Sequence, residues 1–149
     1  MGCDIHVCIE KRVDGVWQFV GSDAWDNNPD REHWDIWRDY DLFAILGGVR
    51  NGFGVAGIRT GSGFTPIAIG RGLPADRDPR TEPLGDHSDS WVTLRELIDF
   101  DWSQTTLHAG AETPKTYREC VRYWLDDYIP KLHAVGEPDD VRLVFNFDS

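Results

Sequence analysis

Two stretches of odd–even alternation, one near each end, constrain this chain more than any other feature. In residues 3–10, Cys3, Ile5, Val7 and Ile9 alternate with Asp4, His6, Cys8 and Glu10. In residues 141–148, Leu143, Phe145 and Phe147 alternate with Arg142, Asn146 and Asp148. Side chains two positions apart share one face of a strand. Each stretch therefore predicts a strand with an apolar side to bury and a polar side that carries reactive groups. Asp14-Gly15 is a hairpin turn signal, and residues 16–20, Val-Trp-Gln-Phe-Val, supply the return strand. The two terminal stretches are predicted to lie in the same sheet.

Between these strands the punctuation is helical. Asp39 is suited to cap a short helix from Tyr40 to Leu46, and Gly47-Gly48 to stop it. Thr93 and Glu96 have capping-box spacing ahead of Leu94, Leu97 and Ile98. Thr113-Pro114 is a second helix-start signal. Behind it, Tyr117, Cys120, Val121, Trp124, Leu125 and Tyr128 keep the 3.6 period until Pro130, which is expected to end or kink the helix. Residues 21–39 and 74–90 read as loops, the second of them on the surface, and residues 47–72 as a glycine-rich connection. The expected fold is a single α+β domain over residues 1–149. Its small, largely antiparallel sheet is formed by the N-terminal hairpin and the C-terminal strand, with helices on one face.

Charge and composition remove whole function classes. Fifteen Lys and Arg stand against 26 Asp and Glu, a formal charge of −11. Such a surface repels nucleic-acid backbones and anionic membranes, so no long nucleic acid and no membrane are expected as partners. A small anion remains compatible, because a few arginines dominate within the screening length of about 8–10 Å. Three cysteines, Cys3, Cys8 and Cys120, make no disulfide framework and no CxxC pair, and read as buried thiols in a reducing compartment. No apolar run of about 18 residues appears. The opening MGCDIHVCIE lacks a basic leader, and His6 stands where a myristoylation signal has Ser or Thr. The expected location is cytoplasmic.

Four groups of residues can carry chemistry. The polar side of the first strand places Asp4, His6, Cys8 and Glu10 together, with Arg142, Asn146 and Asp148 joining if the last strand is its neighbour. A carboxylate beside an imidazole serves as a metal-ligand pair or as a general acid–base pair. The segment Asp86-His87-Ser88-Asp89-Ser90-Trp91 can complete such a site. Asp4, His6 and His87 are then the expected catalytic groups, and Asp4, His6, Asp89 and Asp148 the expected ligands of a divalent metal, Mn²⁺, Zn²⁺ or Mg²⁺. Arg50, Arg59 and Arg71, set among glycines, suit phosphate, and Ser90 and Trp91 are expected to contact the ligand with them. No GxxxxGK[ST] or well-placed GxGxxG accompanies them. Phe53, Phe64, Trp25, Trp34 and Trp37 are candidates for stacking a base or for ordinary core packing. His33, His108 and His133 have no evident partner in the sequence. For each group the plain alternative is a solvated face, a turn or a surface ion pair.

MGCDIH, YDLFAILGGVRN, the HSDSW-TL stretch and RLVFNFD, in that order, resemble a family of small proteins encoded by phages and prophages. The resemblance implies a phage accessory protein, with anti-defence action against nucleotide immune signals as an analogy. The expected function is hydrolysis of a cyclic oligonucleotide. The alternatives are a non-catalytic sponge that encloses such a nucleotide, in one form as a homo-oligomer, and an acidic inhibitor that binds a host protein.

Overall fold

A computed structural model of the chain describes residues 2–24, 27, 29–52 and 58–149. Strands β1 (Asp4–Val13) and β2 (Val16–Ser22) form the hairpin, followed by the two-residue β3 (Glu32–His33) and helix α1 (Tyr40–Gly47). Next come β4 (His87–Thr93), α2 (Leu94–Asp99), the small β5 (Thr105–Thr106) and β6 (Lys115–Thr116), α3 (Tyr117–Cys120) and α4 (Arg122–Val135). A 3₁₀ turn (Pro138–Asp140) leads into β7 (Val141–Asp148).

The main sheet has the order β3-β2-β1-β7-β4, antiparallel except for the β2–β3 pair. The terminal strands pair along their length, from Asp4 opposite Asp148 to Lys11 opposite Val141. That register is forced by burial, since a one-residue slip would turn the apolar side of either strand outward. Ile5, Val7, Ile9, Leu143, Phe145 and Phe147 form one buried cluster with Leu42, Phe43 and Leu46 of α1, Leu94 and Leu97 of α2, and Trp124 and Leu132 of α4. The expected α+β architecture, with helices on one face, is the observed one.

Local signals act where they are read. Asp39 caps α1 by accepting from the Leu42 amide, and Gly48 closes it in the left-handed region at φ 71°. Thr93 and Glu96 make a reciprocal capping box on α2. The next helix starts three residues later than Thr113-Pro114 suggests. Its cap is Thr116, paired with Glu119, and the helix is interrupted at Val121. Pro130 does not end α4, which continues to Val135. HSDSW is not a loop but part of the edge strand β4, with a register shift between His87 and Ser90. Its pairing with β7 is distant in sequence and leaves little local trace.

Residues 73–86, which take in most of the 74–90 segment expected as a surface loop, instead form a strap across the sheet face opposite the helices. Glu10, fully buried, accepts from the Asp78 amide (2.8 Å) and the Thr81 hydroxyl (2.7 Å). Asn146 accepts from the Gly85 amide (2.7 Å) and donates to the Pro83 carbonyl (3.2 Å). The Asp78 carboxylate accepts from the Phe19 amide of β2 at 3.0 Å. Hydrogen bonds from the Arg80 guanidinium and from the Arg80 and Phe19 amides hold the Asp78 carboxyl well below the usual range. A carboxyl depressed on folding adds stability above its unfolded value, about 3.9, and loses it as pH falls toward the folded value. Wild type is therefore expected to be more stable than Asp78→Asn at neutral pH, with the gap closing between about pH 5 and pH 2. Urea unfolding across that range measures it. A gap independent of pH would show that the charge of Asp78 does not hold the strap.

Candidate functional site

Much of the polar side of β1 is a buried structural layer. Glu10 pairs with Arg142, whose Nε and Nη2 both lie 2.7 Å from Glu10 Oε1, and the Arg142 guanidinium lies 4.0 Å from the Trp17 ring centre. Only the amino-terminal end of this face stays open. There the His6 ring lies between two carboxylates, with Nδ1 3.2 Å from Asp23 and Nε2 2.6 Å from Asp148. The Asp23 side chain is 14% exposed and that of Asp148 44%. Burial pushes the Asp23 carboxyl above the usual range, against the pull of His6. The ring is hydrogen-bonded to Asp148 and faces Asp23 with its other nitrogen.

Asp4, directly opposite Asp148, is held by Arg38 through two 2.8 Å hydrogen bonds, and the hydrogen bond from Arg38 lowers its carboxyl below the usual range. Arg38 also borders a depression of about 480 Å³ with Trp37, Tyr40, Asp41 and Tyr123. Tyr40 and Asp41 are shared with a second depression of about 220 Å³, lined also by Arg50, Phe64 and His108. The Tyr40 hydroxyl accepts from the Cys3 amide (3.3 Å), which ties this wall to the start of β1. Arg50, at a left-handed φ of 54°, lies 5.2 Å over the Tyr40 ring. The depressions join aromatic walls to two guanidinium groups, within the usual range of ligand-site volumes of about 300–1,000 Å³ for the larger.

The expected groups divide accordingly. Asp4, His6 and Asp148 come together. His87 does not join them: it is paired with Phe147, stacks against that ring and bonds to Ser88 and Ser149. Its register puts it on the sheet face that carries Phe147, away from His6. Asp89 accepts from Asn146 at 3.1 Å. Among the described residues, Asp4, His6, Asp89 and Asp148 do not bring ligand atoms close enough together to share an ion, whereas those of Asp41, His108 and Cys120 lie within 4.8 Å of one another. The expected metal quartet fails because Arg38 takes Asp4 and because His6 spends its two nitrogens on different carboxylates.

Ser90 is buried and bonds to the Ala68 carbonyl, so it offers nothing to an anion. Arg71 is committed to Glu96 (2.6 and 2.9 Å) and lies 5.0 Å over Trp91. Both border a separate depression near Arg142, on the side of the strap. Arg59 is exposed and lines none of these depressions. Trp34 is core, Trp37 is 79% exposed, and Phe64 lines the Tyr40 depression. Trp25 and Phe53 lie outside the described residues. Burial raises all three thiols, Cys8 to about 12 and Cys120 to about 11. A cysteine nucleophile activated by its surroundings is not supported.

Arg38, Tyr40, Asp23, Asp41 and His108 are the site residues that sequence reading missed. Arg38, Tyr40 and Asp41 lie at the entry to α1, and their nearness to that helix start was the one available signal. No helix among the described residues is long and apolar enough to cross a membrane. Comparison with protein-family models, with curated proteins and with solved structures finds no match.

Proposed function

We propose that the protein binds a small nucleotide in the paired depressions around Tyr40 and hydrolyses its phosphodiester, with a cyclic oligonucleotide signal of host defence as the substrate class. The observation that carries this reading is the placement of Tyr40 between Arg38 and Arg50, with Arg38 bonded to Asp4, which stands opposite the Asp148 that meets His6. Trp37 and Tyr123 supply flat apolar surface for a base. Arg50, which makes no ion pair with a carboxylate among the described residues, supplies phosphate donors. A water oxygen bonds to phosphorus as its proton passes to Asp148 and the His6 ring. The P–O bond to the ribose breaks, and the departing oxygen takes a proton back from the same group. The phage accessory role belongs to this reading, as does action in a bacterial cytosol.

A sponge is the second reading. It is favoured by the occupation of both His6 nitrogens, which leaves the ring without direct access to a ligand. Incubation with a panel of cyclic di- and trinucleotides, followed by chromatography before and after heating the protein, separates the two. New products support hydrolysis, and intact nucleotide released on heating supports the sponge. Arg50→Ala is expected to weaken binding by at least about tenfold, the value of one charge-assisted phosphate contact. No product and no retained nucleotide across the panel would overturn both.

A further inference from the structure

We infer that Asp41, His108 and Cys120 form a three-donor site for Zn²⁺, with its fourth position facing the depression beside Arg50 and taking a phosphate oxygen of the ligand. The three come from separate parts of the chain: the first turn of α1, the segment ahead of β6, and the last residue of α3. Their ligand atoms lie within 4.8 Å of one another, and His108 Nε2 is 3.2 Å from Asp41 Oδ1. Zn–O and Zn–N bonds of about 2.0–2.2 Å and a Zn–S bond of about 2.3 Å put tetrahedral donors roughly 3.3–3.8 Å apart. Small side-chain adjustments close that difference.

Each donor is positioned independently of the others. His108 is fixed by a backbone bridge to Gly61, by the Ala109 amide bonding to the Thr60 carbonyl, and by the Phe64 ring. A side chain at Gly61 would meet the Leu107 carbonyl at 2.7 Å, so glycine is needed for that approach. Asp41 is set by the Asp39 cap of α1, and Cys120 by the Thr116–Glu119 box of α3. All three side chains are partly exposed, so an ion has a path in. An imidazole, a thiolate and a carboxylate together select Zn²⁺ over Mg²⁺ or Ca²⁺. Three protein donors with one open position is the arrangement of zinc sites that act on a ligand, as opposed to closed structural ones. Asp41 and His108 both line the Arg50 depression, which places the open position there.

The inference rests on the nucleotide reading only for what fills the fourth position. Co²⁺ titration of the purified, metal-stripped protein tests the site itself. One equivalent is expected to give a near-ultraviolet thiolate-to-cobalt band, displaced by Zn²⁺. Cys120→Ser should abolish the band and His108→Gln should weaken Co²⁺ binding at least about tenfold, each with an unchanged circular dichroism spectrum. No band in wild type, or a band that survives Cys120→Ser, overturns the site. Should His108→Gln fail to fold, Asp41→Asn carries the same prediction. Cobalt bound as expected without cleavage of any nucleotide keeps the site and overturns the hydrolase reading. Cleavage with no cobalt band does the reverse.

Discussion

Arg142→Ala is expected to destabilise the fold by about 3–5 kcal/mol, because it leaves a buried carboxylate without its cation. Glu10 is fully buried and Arg142 is 3% exposed, on adjacent central strands. Glu10 is also the anchor of the strap, through the Asp78 amide and the Thr81 hydroxyl. The guanidinium fills space against Trp17 and, at 5.8 Å, Trp91, so truncation removes packing as well as charge. Glu10→Gln with Arg142→Met, which retains much of the volume and buries no charge, is expected to recover most of the loss. Urea unfolding of the three proteins measures this. A loss below about 1 kcal/mol for Arg142→Ala would mean that the pair does not secure the layer, since that is the level of an exposed pair.

On the reading proposed above, His6→Gln should lower turnover of the nucleotide by about 10²–10⁴-fold, the usual worth of a positioned acid–base group. Glutamine keeps the length and polarity of the side chain but cannot pass a proton between Asp23 and Asp148. The ring is partly exposed and outside the main apolar cluster, so the native spectrum is expected to survive. Binding of the nucleotide should change far less than turnover, because the Tyr40 depressions do not include His6. Single-turnover cleavage alongside equilibrium binding reads both. Cleavage within a few-fold of wild type in a folded His6→Gln protein would remove His6 from the mechanism.

The candidate site was only half legible in the sequence. Asp4, His6 and Asp148 were visible because strand alternation and the pairing of the two ends sufficed to bring them together. Asp23 was not, since its approach to His6 depends on how the chain leaves β2. Arg71 read as a phosphate donor until Glu96, 25 residues away, claimed it. His87 read as a partner of His6, yet pairing with Phe147 sends it to the opposite side of the sheet. His108 had no visible partner because Asp41 is 67 residues distant.

By itself the sequence determined the alternating strands, the hairpin at Asp14-Gly15, the caps at Asp39 and Thr93, and the α+β class. Each of these is settled by interactions within a few residues, or by a period that leaves one face to bury. Only the tertiary structure decided that residues 73–86 cross the sheet, that Glu10 and Arg142 are sealed beneath them, and that Tyr40 stands between two arginines. Those outcomes depend on which distant backbone or charge arrives first at a polar group that must be satisfied once it leaves water, and local spacing carries no record of that competition.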